Sequence, residues 1–174
     1  MFRDEDHLMN SWPTWDEWLN GLPEDTRERA IALAALFEQR GARDPQDWAR
    51  SEISENIAQM ARFLILRRLW RDAITPWTDP DSLRRMEPAQ RLLAAGANPH
   101  DVLLVARAAA YDALFAMVGT IDAGIDWETA PDGPGWSLME TDAECALTGR
   151  DVSGLHESLL EVEPSGNNGD DLWD

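Results

Sequence analysis

Through the first two-thirds of the chain, apolar positions recur at helical spacing between recognisable start and stop residues. The clearest case runs from about Pro23 to Arg40. There Ala30, Leu33, Ala34 and Phe37 share one face with Leu36 on its flank, while Glu28, Glu38 and Gln39 lie elsewhere, and Gly41 ends the pattern. Ahead of it, "TWDEW" sets Thr14 and Glu17 at capping-box spacing, and Asn20-Gly21 closes a short first helix. After the Asp44-Pro45 turn, one long helix is predicted from about Gln46 to Ile74, ended by Pro76. Its early apolar set is Ile53, Ile57, Met60 and Leu64. Phe63, Leu66, Leu69 and Trp70 follow on a different face, so its two halves should pack on different neighbours. Arg67, Arg68 and Arg71 fall in its last turns, where they suit the helix dipole.

A fourth helix is predicted over Ser82–Ala95, stopped by Gly96. Asn98 as N-cap with Pro99 at the first helical position then starts a fifth, to about Ile121. This one is apolar or small nearly all round, which marks it as the central core helix. Its apolar run, residues 102–121, is broken by Arg107 and Asp112, and its middle is alanine-rich, which favours a buried helix over a membrane span. Arg107, Tyr111, Phe115 and Asp122 fall on one stripe. A buried arginine there needs a carboxylate partner, so the stripe is either a structural ion pair or the polar wall of a pocket between helices.

Beyond Gly124 the texture changes. "DAGIDWETAPDGPG" reads as a loop, "WSLME" and "ECALTG" as a short hairpin, "DVSGLHESLLEVE" as one more short helix, and the chain from Pro164 as a mobile polar tail. The expectation is one mainly α domain over residues 1–174. Five to six helices surround the helix at 99–121, with a small irregular or two-stranded C-terminal addition, and residues 124–174 form an acidic extension.

Charge sharpens this picture. The 174 residues carry 33 acids against 15 basic residues, net −18, and every basic residue is arginine. Residues 1–107 hold 18 acids and 14 arginines, net −4, whereas residues 108–174 hold 15 acids and Arg150 alone, net −14. Such a field repels nucleic acid and anionic lipid and speeds association with a basic protein, although acidity also serves solubility alone. Cys145 is the only cysteine, so no internal disulfide can form. The opening "MFRDEDHLMN" lacks both the basic and the apolar regions of a signal peptide. Together these point to a cytoplasmic protein.

Candidate chemistry is sparse. "GLHESLLEVE" begins like a zinc-protease helix, but Leu160 stands where the second histidine is required. His156 and Glu157 would lie about 100° apart on a helix and could not chelate one ion. The acids at 126 and 128 open like a calcium loop, but Ala130 replaces the third ligand and no bidentate Glu follows. There is no Gly-x-Ser-x-Gly elbow, P-loop or dinucleotide fingerprint, and His7, His100 and His156 are widely dispersed. Catalytic, cofactor and metal residues are therefore expected to be absent.

Nine tryptophans are many for this length. Trp12, Trp15 and Trp18 lie beside Asp16 and Glu17, and Trp173 lies among Asp170, Asp171 and Asp174. Aromatics among acids suit a protein-binding surface, because tryptophan supplies buried area while the acids steer a basic partner. The expected partner-binding residues are Trp136, Glu140, Asp142, Glu157, Glu161, Glu163, Asp170, Asp171 and Trp173. In size and composition, though in no quotable motif, the chain looks like the acidic immunity proteins of bacterial toxin systems. The expected function is neutralisation of a basic toxin or effector domain, as an immunity protein or antitoxin does, without direct contact to nucleic acid or membrane. The alternatives are a nucleic-acid mimic that blocks a DNA- or RNA-binding protein, and an enzyme with a pocket between helices.

Overall fold

The computed structural model describes residues 13–128 and 131–173. Its elements are α1 (Trp15–Asn20), α2 (Glu24–Gln39), α3 (Pro45–Glu55), α4 (Gln59–Leu69), α5 (Asp81–Arg84), α6 (Glu87–Ala94), α7 (Pro99–Ala123) and the strands β1 (Met139–Thr141) and β2 (Leu147–Asp151). The fold is mainly helical with a small antiparallel hairpin near the C-terminus, as the pattern predicts.

Helix ends written in local chemistry fall where expected. Thr14 and Glu17 close both halves of a capping box on α1. Gly41, at φ +85°, follows α2. Asn98 accepts the backbone N–H of His100 at the start of α7, and Gly124 ends it in the left-handed conformation.

The long helix expected over 46–74 is two helices. Asn56 takes a left-handed conformation (φ 55°) at the end of α3, and the buried carboxylate of Glu52 accepts the Met60 N–H at 2.8 Å, fixing the start of α4. The break re-aims the apolar register. Trp48, Ala49 and Glu52 are buried on α3, while Leu64 on α4 is exposed. Past α4 the backbone widens into a π-turn at Trp70–Ile74 and then a 3₁₀ turn at Thr75–Thr78, which carries Pro76. The single helix expected over 82–95 is likewise two, because Met86 is extended as the N-cap of α6, which restarts with Pro88 in its first turn.

One core joins Phe37, Trp48 and Phe63, mutually packed at ring distances of 5.5–5.8 Å, to Trp70, Ile74, Tyr111, Leu114 and Val118. Helix α7 is central, in contact with the π-turn, the 3₁₀ turn after it and the chain's last turn. It is not buried all round. Leu103, Arg107, Tyr111, Leu114 and Val118 face inward, whereas Val105, Phe115 and Met117 are exposed. By length and composition α7 could cross a membrane; here its inner side packs on the protein core.

The short helix expected within 151–163 is instead a run of turns. Its backbone groups are engaged across the fold. The Leu159 carbonyl accepts from the Trp70 indole at 2.6 Å, and the His156 N–H donates to Asp122 at 2.8 Å. Val152, Leu155, Leu159 and Val162 are buried in the main core. Nor does the chain from Pro164 hang free. A 3₁₀ turn at Asp170–Leu172 docks on α7, and Leu172 is fully buried.

Candidate functional site

Four arginines bind the acidic C-terminal layer to the helical body, one of them Arg43, which donates to the Glu163 carbonyl. Arg150 on β2 makes a bidentate pair with Glu140 on β1 (2.7 and 2.8 Å) and reaches Glu52 on α3 at 3.0 Å. Burial alone would lower its pKa, but the hydrogen bonds it donates to Glu140 and Glu52 outweigh that and hold it above the ordinary arginine value. Arg107 on α7 donates to the Asp171 carboxylate at 2.9 Å and lies 3.9 Å from Glu163. Arg62 on α4 donates to Ser158 at 2.6 Å, with Glu157 at 3.8 Å. Desolvation lowers the Arg62 pKa, against the opposing fields of Glu161, Glu157, Asp122 and Glu55.

Arg107 and Asp122, which share a stripe in the sequence, therefore part company. Asp122 pairs with His156, whose Nδ1 lies 2.6 Å from Oδ2. Tyr111 stacks in the core between them. The three form structural contacts rather than one pocket wall.

These pairings sort the expected partner-binding residues. Glu163 is not a surface group: it is 2% exposed, and its carboxylate accepts the backbone N–H groups of Ser165, Gly166 and Asn167, building the turn that follows. Glu140 and Asp171 are committed to Arg150 and Arg107. Asp142 shapes the hairpin turn by accepting the N–H groups of Glu144 and Ala146. Glu157, Glu161, Asp170, Trp136 and Trp173 remain exposed. Trp15 and Trp18 pack on each other at 5.1 Å, with Arg50 over Trp18; Trp12, His7 and Asp174 lie outside the described residues.

The structure brings several of these groups into one strip along the flank of α7. Trp173 (57% exposed) meets Tyr111 edge-on at 5.6 Å, Tyr111 stacks on Phe115 (42% exposed) at 6.1 Å, and Phe115 meets the His156 ring edge-on at 6.1 Å. Asp112, Glu157 and Asp170, neighbours in sequence of Tyr111, His156 and Asp171, are all exposed. Comparison with family models, with characterised proteins and with solved structures returns no match to this chain.

What the strip can do follows from its parts. Exposed rings set beside exposed acids, of which Glu157 is paired with Arg62, offer apolar area and a negative field together. The His156–Asp122 pair has the form of an oriented base, but among the described residues no hydroxyl or thiol hydrogen-bonds the ring. Among the described residues no three His, Cys, Asp or Glu side chains cluster as a metal site. Phe115 and Trp127, both exposed, are absent from the sequence-based list. The acid-flanked position of Trp127 in "IDWE" is a cue of the same kind as that of Trp173.

Proposed function

We propose that this protein binds a basic protein stoichiometrically and neutralises it, in the manner of an immunity protein or antitoxin of a bacterial toxin system. One observation carries the reading. Arg150, the sole cation of residues 108–174, is consumed internally by Glu140 and Glu52, so that third of the chain turns only acids outward, with Phe115 and Trp173 exposed beside them. The acids would accelerate encounter with a cationic surface, and the aromatics would slow release by burying apolar area. Such a protein needs no catalytic group. An exposed Cys145 without a disulfide suits a reducing cytoplasm.

The test is a nuclease-treated pull-down from the native host with a tagged full chain, washed at low and then high salt. One basic protein retained at high salt, and inhibited at one-to-one stoichiometry when the two are remixed, supports neutralisation. Several nucleic-acid-binding proteins lost at high salt would replace it with mimicry. No partner at either wash would overturn both.

A further inference from the structure

We propose that the outer side of α7's C-terminal half is the seat for one cationic amphipathic helix of the basic partner; the proposal rests on the function above and locates its docking groove. A concavity of about 520 Å³ lies between α7 and the loop that follows it. Ala116, Gly119, Thr120 and Ala123 line its helical side, and Trp127 and Trp136 line the other. Both tryptophans are exposed, Trp127 at 70%.

The wall is built rather than draped. Trp136 donates its backbone N–H to the Gly124 carbonyl at 2.7 Å and its indole N–H to the Thr120 carbonyl at 3.0 Å. Gly135 packs so closely that a Cβ there would lie 2.6 Å from the Gly124 carbonyl oxygen. The ring is thereby clamped to the end of α7 before any partner arrives, so little ordering cost falls on binding.

Shape and charge select the occupant. Residues 116 to 123 span about 10 Å of helix axis, two turns, which matches the i, i+3, i+4, i+7 anchors of a docking helix. The small side chains leave depth for that ridge, since a Cβ on Gly119 would meet nothing within 4 Å. Asp126 and Glu128 line the same groove. From Ala108 to Gly149 the chain has eight acids and no arginine or lysine. The complementary surface is therefore an apolar stripe edged by lysine or arginine. A second copy of a chain carrying net −18 lacks that complementarity.

The probe is a labelled leucine–lysine helical peptide with its leucines on one face, beside a scrambled peptide of equal composition, each titrated against the full chain near physiological salt. The amphipathic peptide should bind and shift tryptophan emission to shorter wavelength. Scrambling it, Trp127→Ala, or filling the groove with Gly119→Phe should each weaken binding about tenfold or more. Glu157→Gln with Glu161→Gln should change its affinity less than about twofold, since these acids lie outside the groove. Equal binding of the scrambled peptide, no effect of Gly119→Phe in a variant whose circular dichroism matches the parent, or no binding at all would overturn the proposal. So would a dimer in sedimentation that Gly119→Phe dissolves, because the occupant would then be a second copy. If the peptide binds in the groove but the pull-down yields no basic protein, the groove stands and the function reading fails.

Discussion

The guanidinium of Arg107, in the N-terminal half of α7, donates to the carboxylate of Asp171, 64 residues further on, at 2.9 Å and also to the Asp171 carbonyl at 3.1 Å. An arginine in an apolar helix thus finds its carboxylate partner in the turn at Asp170–Leu172, through one terminal nitrogen, while its buried Nε makes no hydrogen bond. With Leu172 fully buried beside it, this contact makes the C-terminal turn part of the core. Leu172→Ala should cost about 3 kcal/mol, measured by urea denaturation. A cost below about 0.5 kcal/mol would mean the turn is not docked in solution.

Arg150 gives a second, independent test of the clamp between hairpin and helices. Arg150→Met removes the partner of Glu52, whose side chain is 5% exposed, and should destabilise by about 3 kcal/mol. The double variant Arg150→Met, Glu52→Gln should recover part of that loss, because the stranded buried charge is gone while a side-chain oxygen can still accept the Met60 N–H. Thermal melts of the two variants side by side check it.

Gly154 links β2 to the turns below it at φ +68°, and a Cβ there would sit 2.9 Å from Nη2 of the half-caged Arg62. Gly154→Ala combines left-handed strain with that clash and should cost about 2 kcal/mol. Gly96→Ala, with φ +92° but nothing near its Cβ, isolates the strain alone and should cost less.

Binding kinetics should divide the acids from the aromatics. Neutralising Glu157 and Glu161 to Gln should slow association with the basic partner several-fold at low salt and leave dissociation nearly unchanged. Trp173→Ala or Phe115→Ala should instead speed dissociation by about tenfold. Surface plasmon resonance across a salt series separates the two; faster dissociation as the main effect of the Gln variant would contradict steering.

The capping box on α1 makes a pH-dependent prediction. Hydrogen bonds from the Thr14 backbone and hydroxyl hold the Glu17 carboxyl below its ordinary value of 4.5. A depressed carboxylate pKa adds stability above the ordinary value, and that contribution fades as pH falls through the folded value. The melting-temperature gap between the parent and Glu17→Gln should therefore be present at neutral pH and close in acid.

How much was legible in the sequence depended on how local the deciding interaction was. The capping box, Gly41, Asn98-Pro99 and Gly124 act within a turn of themselves, and their helices end where they predict. The break at Asn56 was hidden because it depends on Glu52 reaching forward to the Met60 N–H, while the apolar spacing continues through it. Leu155, Leu159 and Val162 have helical spacing, yet residues 155–162 fold as turns. What overrides that spacing is Trp70 and Asp122, 89 and 34 residues away from the groups they bind. For the same reason Glu163 looked like one more surface acid. Its burial depends on Arg107 and on the turn it caps, neither visible from its neighbours in the chain.

Helix α7 also sets an order of events during synthesis. The inward face of Arg107, Tyr111 and Leu114 leaves the ribosome long before Val152, Leu155, Leu159 and Leu172, which cover that side of the core. Until then an apolar helix and an unpaired arginine stand open to chaperones and proteases. Docking of the turn at Asp170–Leu172 on α7 is therefore the step that closes the core, and a chain lacking Leu172 would keep part of that surface open.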